Sequence, residues 1–279
     1  MSVNVLELCW TEIEKLHKEK TVKVIGIAPI EQHGRHLPVG VDVYETEHWI
    51  KKSIIKLQER FSDYTFLTMP IIPFGNANMK GFPGNIHISQ KLIYNLMLET
   101  LSSIAEWDIK NIIVISGHAE PKHLIAIEEV CACINKKFKD IAFSPMGAIF
   151  SEKVKGKEKN TLMDKLKKYC NDFHAGWVET SCMLSINKDL VNESYKSQPD
   201  IELQEKEMIF PKKVAEKIKG YGHIGYPKEA MKELGDALND DMAEKIKTAV
   251  EAFILRENYK QYEHHELYKI PFLRVKIWS

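Results

Sequence analysis

Two short runs, VKVIGIAP at residues 22–29 and NIIVIS at 111–116, constrain the fold more than any other feature of the chain. Both are rich in β-branched residues and neither shows an alternating polar face, so each reads as a strand buried on both sides in a parallel sheet. Such strands need helices above and below them, and helical patterns fill the intervals. Residues 43–60 place Trp49, Ile50, Ile54, Ile55 and Leu57 on one broad stripe. Residues 89–107 begin at Ser89, a good N-cap, and a further helix is expected over 121–136. Strands are expected again at 64–72 and 140–144, a lysine-rich solvated helix at 152–168, and a long C-terminal helical pattern from Glu229, broken around Gly235. No linker, repeat or low-complexity block interrupts the series, so the reading is one α/β layered domain over 1–279.

Composition narrows the function classes. The 39 basic residues balance 39 acidic ones, so no global field favours nucleic acid or a membrane surface. No apolar stretch approaches the ~20 residues that a membrane-spanning helix needs, and nothing near the start reads as a signal peptide. A cytoplasmic protein acting on a small molecule is expected. The five cysteines lack paired C-x-x-C spacing and read as reduced, mostly buried thiols. His264 and His265 lie in a polar tail and are assigned to solvent.

Each of the two apolar runs ends abruptly in polar chemistry, EQHGRHLPVGVD after the first and GHAEPKH after the second. In open α/β sheets functional groups collect outside the carboxyl ends of strands, where loops are free to converge on a ligand. Glu31 and His33 are one residue apart and share a side of an extended segment, with Asp42 returning after the loop. His118 and Glu120 repeat that spacing. Two imidazoles and three carboxylates form a mixed N/O ligand set suited to one or two Zn, Mn or Fe ions, with Asp42 as the shared carboxylate. The competing reading is structural: a histidine near a strand end is often a hydrogen-bonded support, and loop acids often cap helices. His36 is read as loop support and His48 as packing. A third group, His174 and Glu179 in NDFHAGWVETSCMLSI, places an acid on the first turn of a helix that follows a small-residue loop. Glu179 is open to a capping role as well.

The set EQHGRHLPVGVD, FGNANMKGFPGN, SGHAE and HAGWVETS, in this order, resembles the creatininase family of metal-dependent amidohydrolases over most of the chain. The resemblance implies a three-layer α/β/α sandwich with a mostly parallel sheet, two divalent metal ions, and hydrolysis of a C–N bond in a small cyclic substrate by a homo-oligomer. It implies Glu31 and His118 on one metal, His33 and Glu120 on the other, and Asp42 bridging. Catalytic roles fall to His174, Glu120 and Glu179, with His174 contacting or protonating substrate while Glu179 holds it. Cys170 and Asn171 stand where creatinine-specific members carry Trp and Asp, so creatinine is not the expected substrate unless Phe173 or Trp177 supplies the missing ring. Ser116 and Pro121 replace two asparagines of the family's loop, and Asn85 replaces a threonine. The pocket is expected to use Asn78, Cys170, Asn171 and Trp177. An alternative keeps the metals and opens an inositol-derived cyclic ketone, as a 3-dehydro-scyllo-inosose hydrolase does, with Asn76, Asn78, Lys80 and Asn85 meeting ring hydroxyls.

Overall fold

The computed structural model describes residues 1–79, 81–139, 141–151, 161–204, 207 and 211–275. Five parallel strands, β1 (Ser2–Asn4), β2 (Thr21–Gly26), β3 (Thr65–Thr68), β4 (Asn111–Ile115) and β5 (Ala142–Phe143), form one sheet in the order β1-β3-β2-β4-β5. The helices are α1 (Trp10–Glu14), α2 (Val41–Arg60), α3 (Gln90–Ala105), α4 (Pro121–Phe138), α5 (Met146–Phe150), α6 (Thr161–Lys168), α7 (Trp177–Asn187), α8 (Pro211–Ile218) and α9 (Lys232–Leu255).

The period of two along the central strands sorts the core into two layers. Val22, Val24, Ile113 and Ile115 face α2 and α9 through Trp49, Ile50, Ile54, Val250 and Phe253. Ile25, Ile112 and Val114 face α3 and α4 through Ile93, Met97, Leu101, Ile127 and Val130. Helices therefore cover both faces of a parallel sheet, giving the expected three layers. Ser89 caps α3 by accepting the Leu92 N–H, as read from the sequence.

Several details differ from the sequence reading. The helical pattern does not break at Gly235. α9 runs through it, because the bare Cα lets α9 press against α7, where a Cβ would sit 1.8 Å from the Ser181 carbonyl oxygen. His265 is buried, donating its backbone N–H to Glu128 Oε1 and accepting the Leu267 N–H at Nδ1, while His264 faces outward. Cys131 and Cys182 are buried, but Cys9 and Cys170 are exposed. Of the expected helix at 152–168, residues 152–160 lie outside the described residues, as does Lys80, and the remainder forms α6. Among the described residues no helix is long and apolar enough to cross a membrane.

Candidate metal centre

The carboxyl ends of β2 and β4 are adjacent, because Gly26 pairs with Ile115 in register. After β2 the chain loops through residues 27–40, closed by the Glu31 N–H bonded to the Val39 carbonyl at 3.0 Å, and then enters α2 with Asp42 on its first turn. The loop after β4 is pinned against that turn: Gly117 N–H donates to Thr46 Oγ1 at 2.7 Å, and Thr46 donates to the Asp42 carbonyl at 2.6 Å. A Cβ on Gly117 would lie 2.6 Å from the same carbonyl, so only glycine lets His118 reach Asp42.

The third contributor is α7. Its N-cap, Gly176, has no side chain to accept a bond, and Asp172 does so instead, taking the N–H groups of Trp177 (2.9 Å), Val178 (3.0 Å) and Tyr226 (3.0 Å). Gly176 and Gly225 make room for that carboxylate, since a Cβ on either would lie 1.9 or 2.1 Å from Asp172 Oδ1. Glu179 then stands on the first turn of α7, as the sequence indicates, accepting the Ala175 N–H. Asp172 escaped the sequence reading; its signal is a carboxylate just ahead of a helix whose N-cap is glycine.

These elements converge on three overlapping groups whose potential ligand atoms lie within 4.8 Å of one another: Glu31, Asp42 and His118; His33, Asp42 and Glu179; and Glu31, His33 and His174. His118 Nδ1 is 3.3 Å from both Glu31 Oε2 and Asp42 Oδ2. His33 Nε2 is 3.4 Å from Asp42 Oδ1 and 3.7 Å from Glu179 Oε2. Glu31 Oε2, His33 Nε2 and Asp42 Oδ2 are buried and lack a partner with hydrogen-bond geometry, so they are close without satisfying one another. The other nitrogen of each histidine is committed to a carbonyl: His33 Nδ1–H to Glu31 O at 3.0 Å and His118 Nε2–H to Asn76 O at 3.2 Å. That fixes which nitrogen of each ring faces the cluster, so that loss of the proton there points a lone pair inward.

The electrostatics carry the same message. Burial raises Glu31 to about 7 against the pull of His118. Burial opposes charge on His118, yet the carboxylates of Glu31 and Asp42 outweigh it and raise the ring to about 10. His33 is likewise raised despite burial, by Asp42 and Glu179. Asp42 is held well below the usual carboxylate range, with the two histidines overcoming burial. The carboxylates thus draw positive charge into the cluster as protons on the two imidazoles, a place that divalent cations would take over.

The structure brings Glu31, His33, Asp42, His118, His174 and Glu179 together, and Glu120 belongs to none of these three groups. Glu120 is the N-cap of α4: Oε2 accepts the His123 N–H at 2.7 Å and Oε1 accepts from Asn78 Nδ2 at 3.2 Å. Glu179 stands beside His33, the ring that the family resemblance pairs with Glu120. His174 lies against His33 with ring centroids 4.5 Å apart and planes tilted by 41°, and donates Nε2–H to the Gln32 carbonyl at 2.7 Å. His36 supports the loop through Thr180 Oγ1 at 2.9 Å. Trp177 is fully buried in a core with Leu37, Val41 and Met183, and cannot present its ring to a substrate. Cys170 is exposed and Asn171 half-buried, whereas Phe173 packs with Leu203, Val214, Ile218, Met79 and Phe82 next to His174. Cavities of about 250 and 700 Å³, one beside α4 and one at the β1 edge, are lined by none of the convergent residues.

A family model described as creatininase (creatinine amidohydrolase) matches residues 6–250 of the chain. A solved creatininase variant of the Zn–Zn type superposes with a TM-score of 0.68 at 21% identity, covering 91% of this chain and 99% of the other. A structure described as a putative creatinine amidohydrolase from Bacteroides fragilis NCTC 9343 gives 0.67 at 20% identity, covering 92% and 98% of the two chains. The mycofactocin precursor peptide peptidase of Mycolicibacterium smegmatis (strain ATCC 700084 / mc(2)155) is 23% identical over 176 residues, which span 63% of this chain and 62% of the peptidase.

Proposed function

The chain belongs to the creatininase family of metal-dependent amidohydrolases, and from that membership we propose that it holds two divalent cations, Zn, Mn or Fe, and opens an amide C–N bond in a small cyclic substrate other than creatinine. The observation that carries the reading is the convergence of three buried, unpartnered ligand atoms, Glu31 Oε2, His33 Nε2 and Asp42 Oδ2. Glu31, Asp42 and His118 would hold one cation and His33, Asp42 and Glu179 the other, with Asp42 common to both. Bound there, the cations would polarise the scissile carbonyl and lower the pKa of water to about 7.

The chain's own groups supply the rest. Glu120 moves the proton: its Oε2 is anchored to the His123 N–H, Asn78 orients Oε1, and burial raises its pKa against the pull of His118. His174, with Nε2–H committed to Gln32 O and burial holding the ring near 3, offers Nδ1 as an acceptor and so orients a substrate N–H or a water. Of the two roles expected of His174, contact with substrate and protonation of it, this favours contact. Asn78 has both amide hydrogens committed, to Asn76 Oδ1 and Glu120 Oε1, leaving its carbonyl for substrate.

Creatinine is disfavoured because a flat ring bearing N–H donors wants a stacking face and an acceptor carboxylate, and Cys170, Asn171 and the buried Trp177 provide neither. A linear peptide amide is the second reading, supported by the likeness to a peptide peptidase and by exposed Val39 and Ile86, which flank the loops carrying Glu31 and Asn85. The test is steady-state turnover of metal-loaded protein against cyclic amides, short peptides, inosose-type ketones and creatinine. Cleavage of a cyclic amide with little or no creatinine turnover supports the reading. Turnover of ketones alone moves the bond to C–C, and efficient creatinine hydrolysis refutes the argument from Cys170 and Asn171.

A further inference from the structure

His123 is fully buried on the first turn of α4 and is not one of the convergent ligands, yet every polar atom of its ring and its backbone N–H is engaged. Its Nδ1 accepts the Asn76 N–H at 3.4 Å. In a neutral ring that leaves the proton on Nε2, which donates to Ser116 Oγ at 3.1 Å. Ser116 Oγ also accepts the His118 N–H at 3.2 Å, and His118 Nε2–H returns to the Asn76 carbonyl at 3.2 Å. The first ring of bonds thus runs from Asn76 through His123, Ser116 and His118 back to Asn76.

A second ring shares the same corner. Asn78 Nδ2 bonds both Asn76 Oδ1 (3.3 Å) and Glu120 Oε1 (3.2 Å), and Glu120 Oε2 closes onto the backbone N–H of His123 (2.7 Å). Asn76 itself is anchored by Nδ2 to the Ile88 carbonyl at 2.9 Å. One side chain therefore ties the loop carrying Asn76 and Asn78 to the loop carrying His118. An apolar residue at 123 would fill the same space, but only an imidazole accepts on one edge and donates on the other within a rigid plane.

We infer that His123 is a positioning residue that sets the orientation of His118, through the Asn76 carbonyl and Ser116, while its backbone anchors Glu120. The inference rests on the metal reading of Glu31, Asp42 and His118. Loss of the ring loosens the Asn76 carbonyl that selects the His118 tautomer, and leaves the group of His33, Asp42 and Glu179 untouched, because none of its members belongs to the circuit. Ser116, at a place where the family pattern has asparagine, is the circuit's second adjustable member.

The test is titration of the metal-free protein with Zn²⁺ alone, following binding at the two positions in wild type, His123→Phe, His123→Asn and Ser116→Ala, with thermal unfolding in parallel. Wild type is expected to take up two equivalents. His123→Phe keeps ring volume and should weaken one binding step by about 10- to 100-fold, the usual cost of losing a partner behind a metal ligand, with the other step unchanged. His123→Asn, which restores an acceptor near the Nδ1 position, should recover part of the loss. If His123→Phe does not fold, Ser116→Ala carries the test, with a smaller weakening of the same single step expected. Two steps that weaken together in proportion to lost stability, or no change in either, would overturn the inference. Failure of the wild type to take up two equivalents refutes the two-metal reading and the inference with it, whereas two-step uptake that is insensitive to both positions refutes the inference alone.

Discussion

Gly235→Ala sets two effects of opposite sign against each other. In a helix interior, alanine is favoured over glycine by about 1 kcal/mol, so propensity alone predicts a more stable protein. The geometry of α9 predicts the reverse. The added Cβ would lie 1.8 Å from the Ser181 carbonyl oxygen, 2.4 Å from its carbon and 3.0 Å from the Cys182 nitrogen. Ordinary contact needs about 3.5 Å, so α7 and α9 must part by roughly 1.7 Å, and the obstacle is backbone that no rotamer change removes. Overpacking of this kind costs typically 1–3 kcal/mol, at the upper end where backbone must move. The Trp49 and Cys182 bonds to Asn239, one turn further along α9, are strained by the same displacement. With propensity returning about 1 kcal/mol, the expected net loss is about 2 kcal/mol, or roughly 4–8 °C in Tm for a domain of this size. Calorimetry and urea unfolding at matched metal content measure it. A variant as stable as wild type, or more stable, would show that α9 and α7 do not approach as described.

The buried Lys23, whose Nζ donates to Ile104 O at 2.6 Å, is lowered to about 7 by burial and then by Lys18. The unfolded chain binds more protons than the folded one between that value and the ordinary lysine pKa of about 10.4, so this residue makes stability rise with pH across that window. Lys23→Met should therefore stabilise the protein by about 2–4 kcal/mol at pH 6 and by little at pH 10; a variant that is less stable at pH 6 contradicts the assignment. Asp172→Asn replaces an acceptor oxygen by a donor beside one of three N–H groups, and should cost about 1–3 kcal/mol in urea unfolding while weakening metal uptake at the position that includes Glu179. Unchanged stability in that variant would remove Asp172 as the anchor of α7.

The parts of this fold that show in the sequence are those where one physical term dominates. β2 and β4 are buried on both faces, so their composition alone identifies them, and Ser89 is a cap because its hydroxyl has one local use. β1 is three residues at a sheet edge with no apolar run, and it left no trace. Gly235 was read as a breaker because propensity is local, whereas its purpose is a contact with α7 distant in sequence. At the site, Glu31, His33, Asp42 and His118 follow from strand ends that lie next to one another. The pairing of Glu120 with His33 rests on the family resemblance alone, and no local pattern in the sequence shows that Glu120 also caps α4 through the His123 N–H. The carboxylate that completes the group, Glu179, comes from a helix start about 60 residues further on.

The central claim is that Asp42 serves two cations, and that Glu179 rather than Glu120 completes the second position. Elemental analysis of zinc or manganese per chain, on wild type and on Asp42→Ala, Glu179→Ala and Glu120→Ala after identical loading and desalting, tests it directly. Two equivalents are expected in wild type, close to none in Asp42→Ala, one in Glu179→Ala and two in Glu120→Ala. Full occupancy in Asp42→Ala, or loss of one equivalent in Glu120→Ala with both retained in Glu179→Ala, would contradict it.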